Sequence, residues 1–156
     1  MGPLLLAGDE RGLLRVSFGT RSVGGGKKET FPKDEWTEDA APFGETIRQL
    51  RAYFSGKLQT FDVQLVLLGT EFQVRVWQAL RSIPYGETIS YLELAKGIGN
   101  AKAVRAVGLA NGANPIPIIV PCHRVIGSNG SLTGFGGGIE NKAKLLALES
   151  KQLGLL

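Results

Sequence analysis

Apolar positions recur along the chain with two spacings, and these predict the elements. Leu4-Leu5-Leu6-Ala7 and Leu13-Leu14-Arg15-Val16-Ser17-Phe18 read as strands joined by a turn at Asp9-Glu10-Arg11-Gly12. Phe43, Ile47, Leu50 and Phe54 fall at helical spacing, and Phe61 to Leu68 alternates as a strand does. Residues 1 to about 65 therefore form a small α+β unit, and no catalytic constellation is visible in it. The character changes near Gly69. Thr70-Glu71-Phe72-Gln73 fits a capping box, followed by the apolar stripe Phe72, Val76, Trp77 and Leu80. Pro84 lies beyond the end of that helix, and Tyr85-Gly86 turns the chain.

A second capping box, Ser90-Tyr91-Leu92-Glu93, opens a short helix that Gly97-Ile98-Gly99-Asn100 breaks. Asn100 is an acceptable N-cap for the next helix, Ala101 to about Ala110. Two short helices about a Gly-containing turn match a helix-turn-helix, although an ordinary helical hairpin has the same local pattern. The second helix carries Ala101, Ala103, Ala106, Gly108 and Ala110, with Lys102 and Arg105 as its long polar side chains. Reading base edges in the major groove takes several reaching side chains. A thin helix with one projecting Arg suits a narrow minor groove better, while the same small residues also permit tight packing inside the protein. Beyond Asn111-Gly112-Ala113-Asn114-Pro115 come a buried run from Ile116 to Val120, broken by Pro117, and then Pro121-Cys122-His123-Arg124-Val125. A hairpin or wing-like loop with six glycines spans Gly127 to Gly138 around Phe135. A closing helix over Lys142 to Glu149 turns Leu145, Leu146 and Leu148 inward.

Composition narrows the functional classes. The 156 residues, 43% of them hydrophobic, suit one domain or two small ones sharing a core. No apolar run nears the roughly 20 residues of a membrane helix, and no secretion signal is visible. One Cys and one His cannot complete a structural zinc site, so no zinc is expected. A lone Cys also forms no internal disulfide, which makes a reducing compartment the expectation. The net charge of +4 is uneven. Residues 1–70 carry nine basic and nine acidic side chains, whereas 71–156 carry nine and five. That C-terminal excess suits a polyanion such as DNA. Gly24-Gly25-Gly26-Lys27-Lys28 hints at a phosphate-binding loop, but the spacing requires Gly where Arg21 stands, so a solvated loop is expected.

A Cys closing a buried run is ordinarily an inert small hydrophobe, and apolar surroundings raise its pKa. At Cys122 three features point the other way. His123 supplies a base, Arg124 supplies positive charge, and Pro115, Pro117 and Pro121 stiffen the approach. A Cys–His pair is the usual equipment of an activated sulfur nucleophile, and Glu149 could orient the His. The residues alone leave both readings open.

Pro121-Cys122-His123-Arg124-Val125 resembles the active-site signature of the O6-alkylguanine-DNA alkyltransferases. So, in order and spacing, do Phe72-Gln73 with Val76-Trp77, Ile83-Pro84-Tyr85-Gly86-Glu87-Thr88, Ser90-Tyr91, Arg105-Ala106-Val107, Asn111-Gly112, Asn114-Pro115 and Gly136-Gly137-Gly138. The likeness is dense over 70–149 and loose before it. It implies an α+β protein with a small N-terminal RNase H-like α/β domain (1–68). A mostly helical C-terminal domain (69–156) would hold a winged helix-turn-helix and the active-site Cys. It also implies a self-inactivating methyltransferase of DNA repair, acting on double-stranded DNA that carries O6-alkylguanine. The helix-turn-helix would enter the minor groove and the damaged base would rotate out of the stack. Arg105 would fill the gap, Asn114 would brace the Cys segment, and His123, through a water and Glu149, would accept the thiol proton. Tyr91 would donate to the guanine ring, backbone groups near Val125 and Gly136 would hold the base edge, and Lys142 would support Tyr91 or the Cys loop. The product would be a thioether, with no cofactor, no membrane and a monomeric cytoplasmic protein. Cooperative binding along DNA is left open.

The chain departs from the family in three places. Phe135 stands where the family usually has Tyr, Gly136 is smaller than some relatives' residue, which would open the pocket to larger alkyl groups, and the first hairpin is expected to be incomplete. Three other readings compete: a non-reacting reader of alkylguanine, which would lack the Cys; a Cys–His hydrolase unrelated to DNA; and a helix-turn-helix regulator, disfavoured by the few base-reading side chains on 101–110.

Overall fold

The structure, a computed structural model, describes residues 1–19 and 39–154. The glycine–lysine loop considered above lies outside them. Strands β1 (Leu4–Asp9) and β2 (Gly12–Phe18) form an antiparallel hairpin of six residue pairs, irregular at Ala7/Gly8. The hairpin expected to be incomplete thus pairs along all of β1. A single 3-10 turn (Ala41–Phe43) leads into α1 (Gly44–Phe54). The strand expected over Phe61–Leu68 does not form. That segment touches β2 through one parallel bridge, Leu13 to Leu65, where the Leu13 amide donates to Gln64 (2.9 Å) and the Val66 amide donates to Leu13 (2.9 Å). Further along the same strand the Val16 amide donates to Pro115 at 2.9 Å. The C-terminal half thus takes part of the edge that a longer pairing would use.

Helix α2 (Glu71–Leu80) opens with the predicted capping box, Thr70 and Gln73 each satisfying the other's backbone N–H. After β3 (Ile89–Ser90), the Ser90–Glu93 box opens α3 (Tyr91–Gly97) in the same way. The following helix departs from expectation. Asn100 makes no side-chain cap; its carbonyl accepts from Ala103 (3.0 Å), so 101–103 wind as a 3-10 turn and α4 runs Val104–Gly112. Gly99, at φ +84°, makes the turn between α3 and this segment, in a conformation other residues adopt only with strain. Arg75 of α2 steadies the turn by donating to the Ile98 carbonyl at 2.7 Å. Beyond it come the 3-10 turn Cys122–Arg124, β4 (Val125–Ile126), which pairs in parallel with β3, and α5 (Ile139–Gln152). The glycine-rich stretch between β4 and α5 is a loop without strands of its own. Among the described residues no helix is long and apolar enough to cross a membrane.

Both halves contribute to one apolar cluster. Leu13, Val16, Leu50 and Tyr53 meet Val76, Trp77, Leu80, Leu94, Val107, Ile116, Val120 and Leu145. Trp77 is the staple between α2 and α4, its indole N–H donating to the Ala110 carbonyl at 2.8 Å. Gly69 lies so close beneath the indole that a Cβ there would sit 2.6 Å from it. On α4 this packing buries Val107, Ala110 and Asn111 and leaves Arg105, Ala106 and Leu109 outward. Trp77→Ala should lower the free energy of unfolding by about 3–5 kcal/mol. Urea denaturation measures it, and a loss below about 1 kcal/mol would show that α4 does not depend on this contact.

Candidate active site

The cysteine stands at the end of a tightly folded segment. Asn114 holds both ends of the segment before it, accepting from the Ile116 amide (2.9 Å) and donating to the Val120 carbonyl (2.8 Å). The Val120 amide donates to Ile116 (2.9 Å), and the Cys122 amide folds back onto Val120 (2.8 Å). Within this loop Ile118 has φ +75°, a left-handed conformation that a β-branched residue adopts only under constraint, at a cost on the order of 1–3 kcal/mol. The thiol is buried, and burial pushes its pKa up to about 11, against the pull of the Asn114 amide and the Lys142 charge. At rest Cys122 is therefore a protonated thiol rather than a thiolate.

His123 and Glu149 form a buried pair behind it, 0% and 1% exposed. The imidazole Nε2 lies 2.7 Å from Glu149 Oε1. A carboxylate only accepts, so Nε2 carries the hydrogen and Nδ1 the lone pair. That Nδ1 is buried and has no hydrogen-bond partner among the described residues. Burial lowers the pKa of His123 against the opposing pull of Glu149, which leaves the ring neutral. Glu149 also takes Arg124, from Nε to Oε2 (3.0 Å) and from Nη2 to Oε1 (2.9 Å), and the Gly86 amide at Oε2 (3.2 Å). Tyr53 of α1 donates to Oε1 at 2.8 Å. Burial alone would raise this carboxyl's pKa; the bonds from His123 and Arg124 outweigh it and hold it at about 2.

Lys142 is wholly buried, and Nζ donates to the carbonyls of Val125 (2.5 Å) and Thr133 (2.7 Å). Tyr91 donates to the same Thr133 oxygen at 2.8 Å. Across the molecule's surface Gly136 and Phe135 line a cleft of about 520 Å³ with Gly108, Leu109, Gly112 and Ile139. Phe135 packs edge-on against Phe18 of β2, ring centres 5.6 Å apart.

A family profile described as "6-O-methylguanine DNA methyltransferase, DNA binding domain" matches residues 71–151, and one described as the "ribonuclease-like domain" matches residues 1–67. The chain belongs to the 6-O-methylguanine DNA methyltransferase family. The methylated-DNA–protein-cysteine methyltransferase of Methanosarcina acetivorans is 58% identical over 149 residues, covering 96% of this chain and 92% of that protein. A protein of the same name from Mycobacterium tuberculosis is 52% identical over 154 residues, covering 97% and 88%. The crystal structure of Mycobacterium tuberculosis OGT in complex with DNA matches with a TM-score of 0.87 at 52% identity, covering 97% of this chain and 88% of that one.

Of the residues that resembled this methyltransferase family, Cys122, His123, Glu149, Asn114, Val125 and Lys142 meet in one buried network, and Tyr91 joins it through the Thr133 carbonyl. Arg105 stands apart, exposed on α4. Val125 is already engaged: its N–H donates to Cys122 and its carbonyl accepts from Lys142. Arg124, expected to lend its charge to the thiol, instead pairs with Glu149 and donates to the Ile83 carbonyl at 2.7 Å. Sequence reasoning missed Tyr53, which lies 96 positions from its partner on an element that otherwise reads as plain core.

Because the folded value of Glu149 lies below the ordinary 4.5, its contribution to stability is fully present above that pH and is lost as the pH falls toward 2. Glu149→Gln leaves Arg124 buried without its anion. It should cost about 3–5 kcal/mol at neutral pH and flatten the acid loss of stability in that window. Urea titrations at several pH values measure both effects, and an unchanged acid dependence would assign the sensitivity to another group.

Proposed function

We propose that this protein repairs O6-alkylguanine in double-stranded DNA by moving the alkyl group onto Cys122, once per molecule. The observation that carries the reading is the Nδ1 lone pair of His123, buried without a hydrogen-bond partner among the described residues, on the residue next in sequence to the chain's single thiol and backed by an ionised carboxylate. The family supports the same chemistry, since the relatives named above are methylated-DNA–protein-cysteine methyltransferases.

In this reading the neutral thiol loses its proton only as it reacts. Nδ1 of His123 takes it through a water, and Glu149 stabilises the imidazolium that results. The sulfur–carbon bond forms as the carbon–O6 bond breaks, and the electron pair leaves with guanine. Tyr91 supplies the proton or hydrogen bond that guanine needs. To do so its hydroxyl gives up the Thr133 carbonyl, and Lys142, already bonded to that oxygen, keeps it satisfied. A thioether is not hydrolysed, so the alkyl group stays and the molecule is consumed. No step calls on a cofactor. The presence of Cys122 separates this protein from a non-reacting reader of the same lesion.

The thin outward face of α4 suits the minor groove, with Arg105 entering the stack as the damaged base turns out. The cleft beside Phe135 and Gly136 would receive the base, and the missing side chain at Gly136 leaves room for bulky alkyl groups. All of these groups come from one chain, which suits a protein that acts as a monomer. Its lone thiol suits a reducing compartment such as the cytoplasm.

Mass spectrometry of the Cys122 peptide after incubation with O6-methylguanine duplex should show the gain of one methyl group. Cys122→Ala should abolish transfer while leaving DNA binding intact; residual transfer would exclude this sulfur as the acceptor. Arg105→Ala should slow repair of duplex DNA by about tenfold, the scale of an unstacking cost left uncompensated, with little effect on reaction with a free alkylated base. Equal slowing on both substrates would remove Arg105 from base extrusion.

A further inference from the structure

The N-terminal half carries no group placed so far in the reaction, yet one of its side chains enters the buried network. Tyr53, on α1, is wholly buried and donates to Glu149 Oε1 at 2.8 Å. That oxygen is also the one that faces His123 and Arg124 Nη2. The phenol could be buried for its ring alone, since it packs against Phe54, Phe61 and Tyr85 at ring-centre distances of 5.3, 5.3 and 6.1 Å. Packing explains the ring but not the hydroxyl. A buried phenol without an acceptor is costly, and here the acceptor is the carboxylate on which the His123 tautomer depends.

We propose that Tyr53 is a positioning residue for alkyl transfer, its hydroxyl fixing the Glu149 carboxylate and, through it, the proton-accepting edge of His123. The assignment rests on the function proposed above. Oε1 divides its negative charge among donors from three residues, Tyr53, His123 and Arg124. Removing one concentrates that charge on His123 Nε2–H and makes the imidazolium easier to form. The ring would then hold a proton at a higher pH and be less available to take one from the thiol. Among the described residues, the charged or titratable groups that act on this pair are Arg124 on the 3-10 turn, Lys142 on α5, Tyr85 after α2 and Tyr53 on α1. Of these only Tyr53 comes from the N-terminal half. Burial and the neighbouring carboxylate hold its hydroxyl well above the usual range, so it remains a donor at every working pH.

The test is Tyr53→Phe in the full chain, which keeps the ring and its packing. Single-turnover methyl transfer from O6-methylguanine duplex should keep its rate on the alkaline side, while its acid limb should move up by about one pH unit. His123 is the chain's single histidine, so its ring signals in NMR need no assignment, and their titration should move by the same amount without reference to activity. Phe61→Leu disturbs the same aromatic cluster without touching the hydroxyl; it should lower the melting temperature and leave both titrations where they are. An unmoved acid limb in Tyr53→Phe, or an equal shift in Phe61→Leu, would overturn the assignment and leave Tyr53 as packing. If the wild-type protein gains no methyl group at all, the proposed function fails first and the assignment falls with it.

Discussion

Removing a carboxylate from water carries a penalty of several kcal/mol unless donors meet it on all sides, and Glu149 is where this chain accepts that constraint. Arg124, His123, Tyr53 and the Gly86 amide converge on two oxygens from three separated stretches of sequence. Each donor is thereby placed. The orientation of His123 follows from the bond to Oε1, and its tautomer follows from the carboxylate having no hydrogen to give. The 3-10 turn that carries Cys122 is tied at its far end by Arg124. Much of the candidate site is thus geometry imposed by one buried charge.

The thiol is under a different constraint. Buried and held near pKa 11, it is a poor nucleophile at rest. For a residue that can react only once, this is protective, since oxidants attack thiolates much more readily than thiols. In the proposed mechanism reactivity arrives with the substrate, when the proton passes to an imidazole that is already oriented. The left-handed backbone at Ile118 and the two bonds of Asn114 belong to the same arrangement, because they hold the segment before Cys122 in a shape its own preferences would not choose.

Local features were legible in the sequence where local physics decides them. Both capping boxes form as read, because Thr70 with Gln73 and Ser90 with Glu93 satisfy backbone groups three residues away. The hairpin and the apolar stripe of α2 follow from period alone. Two expectations failed: Pro115 takes part of the β2 edge that Phe61–Leu68 would have extended along, a contact across the fold, and the Asn100 carbonyl takes the Ala103 amide, so the next segment starts as a 3-10 turn without a side-chain cap. In the candidate site, Cys122, His123 and Glu149 were visible as chemistry. Tyr53 was not, since its significance lies wholly in a contact across the fold. Arg124 was read as a charge beside the thiol when its partner is the acid.

The edge-on contact between Phe18 and Phe135 acquires a meaning once Tyr53 is set beside it. Besides the backbone bond from Val16 to Pro115, the first half of the chain grips the second through side chains at two remote points, one behind the acid and one at the loop bordering the cleft. Neither grip involves the short stretch of backbone that joins the halves. Proteolytic nicking near Leu68 would sever the covalent link and leave both grips in place, together with the common apolar cluster. The two fragments would stay associated as a complementing pair.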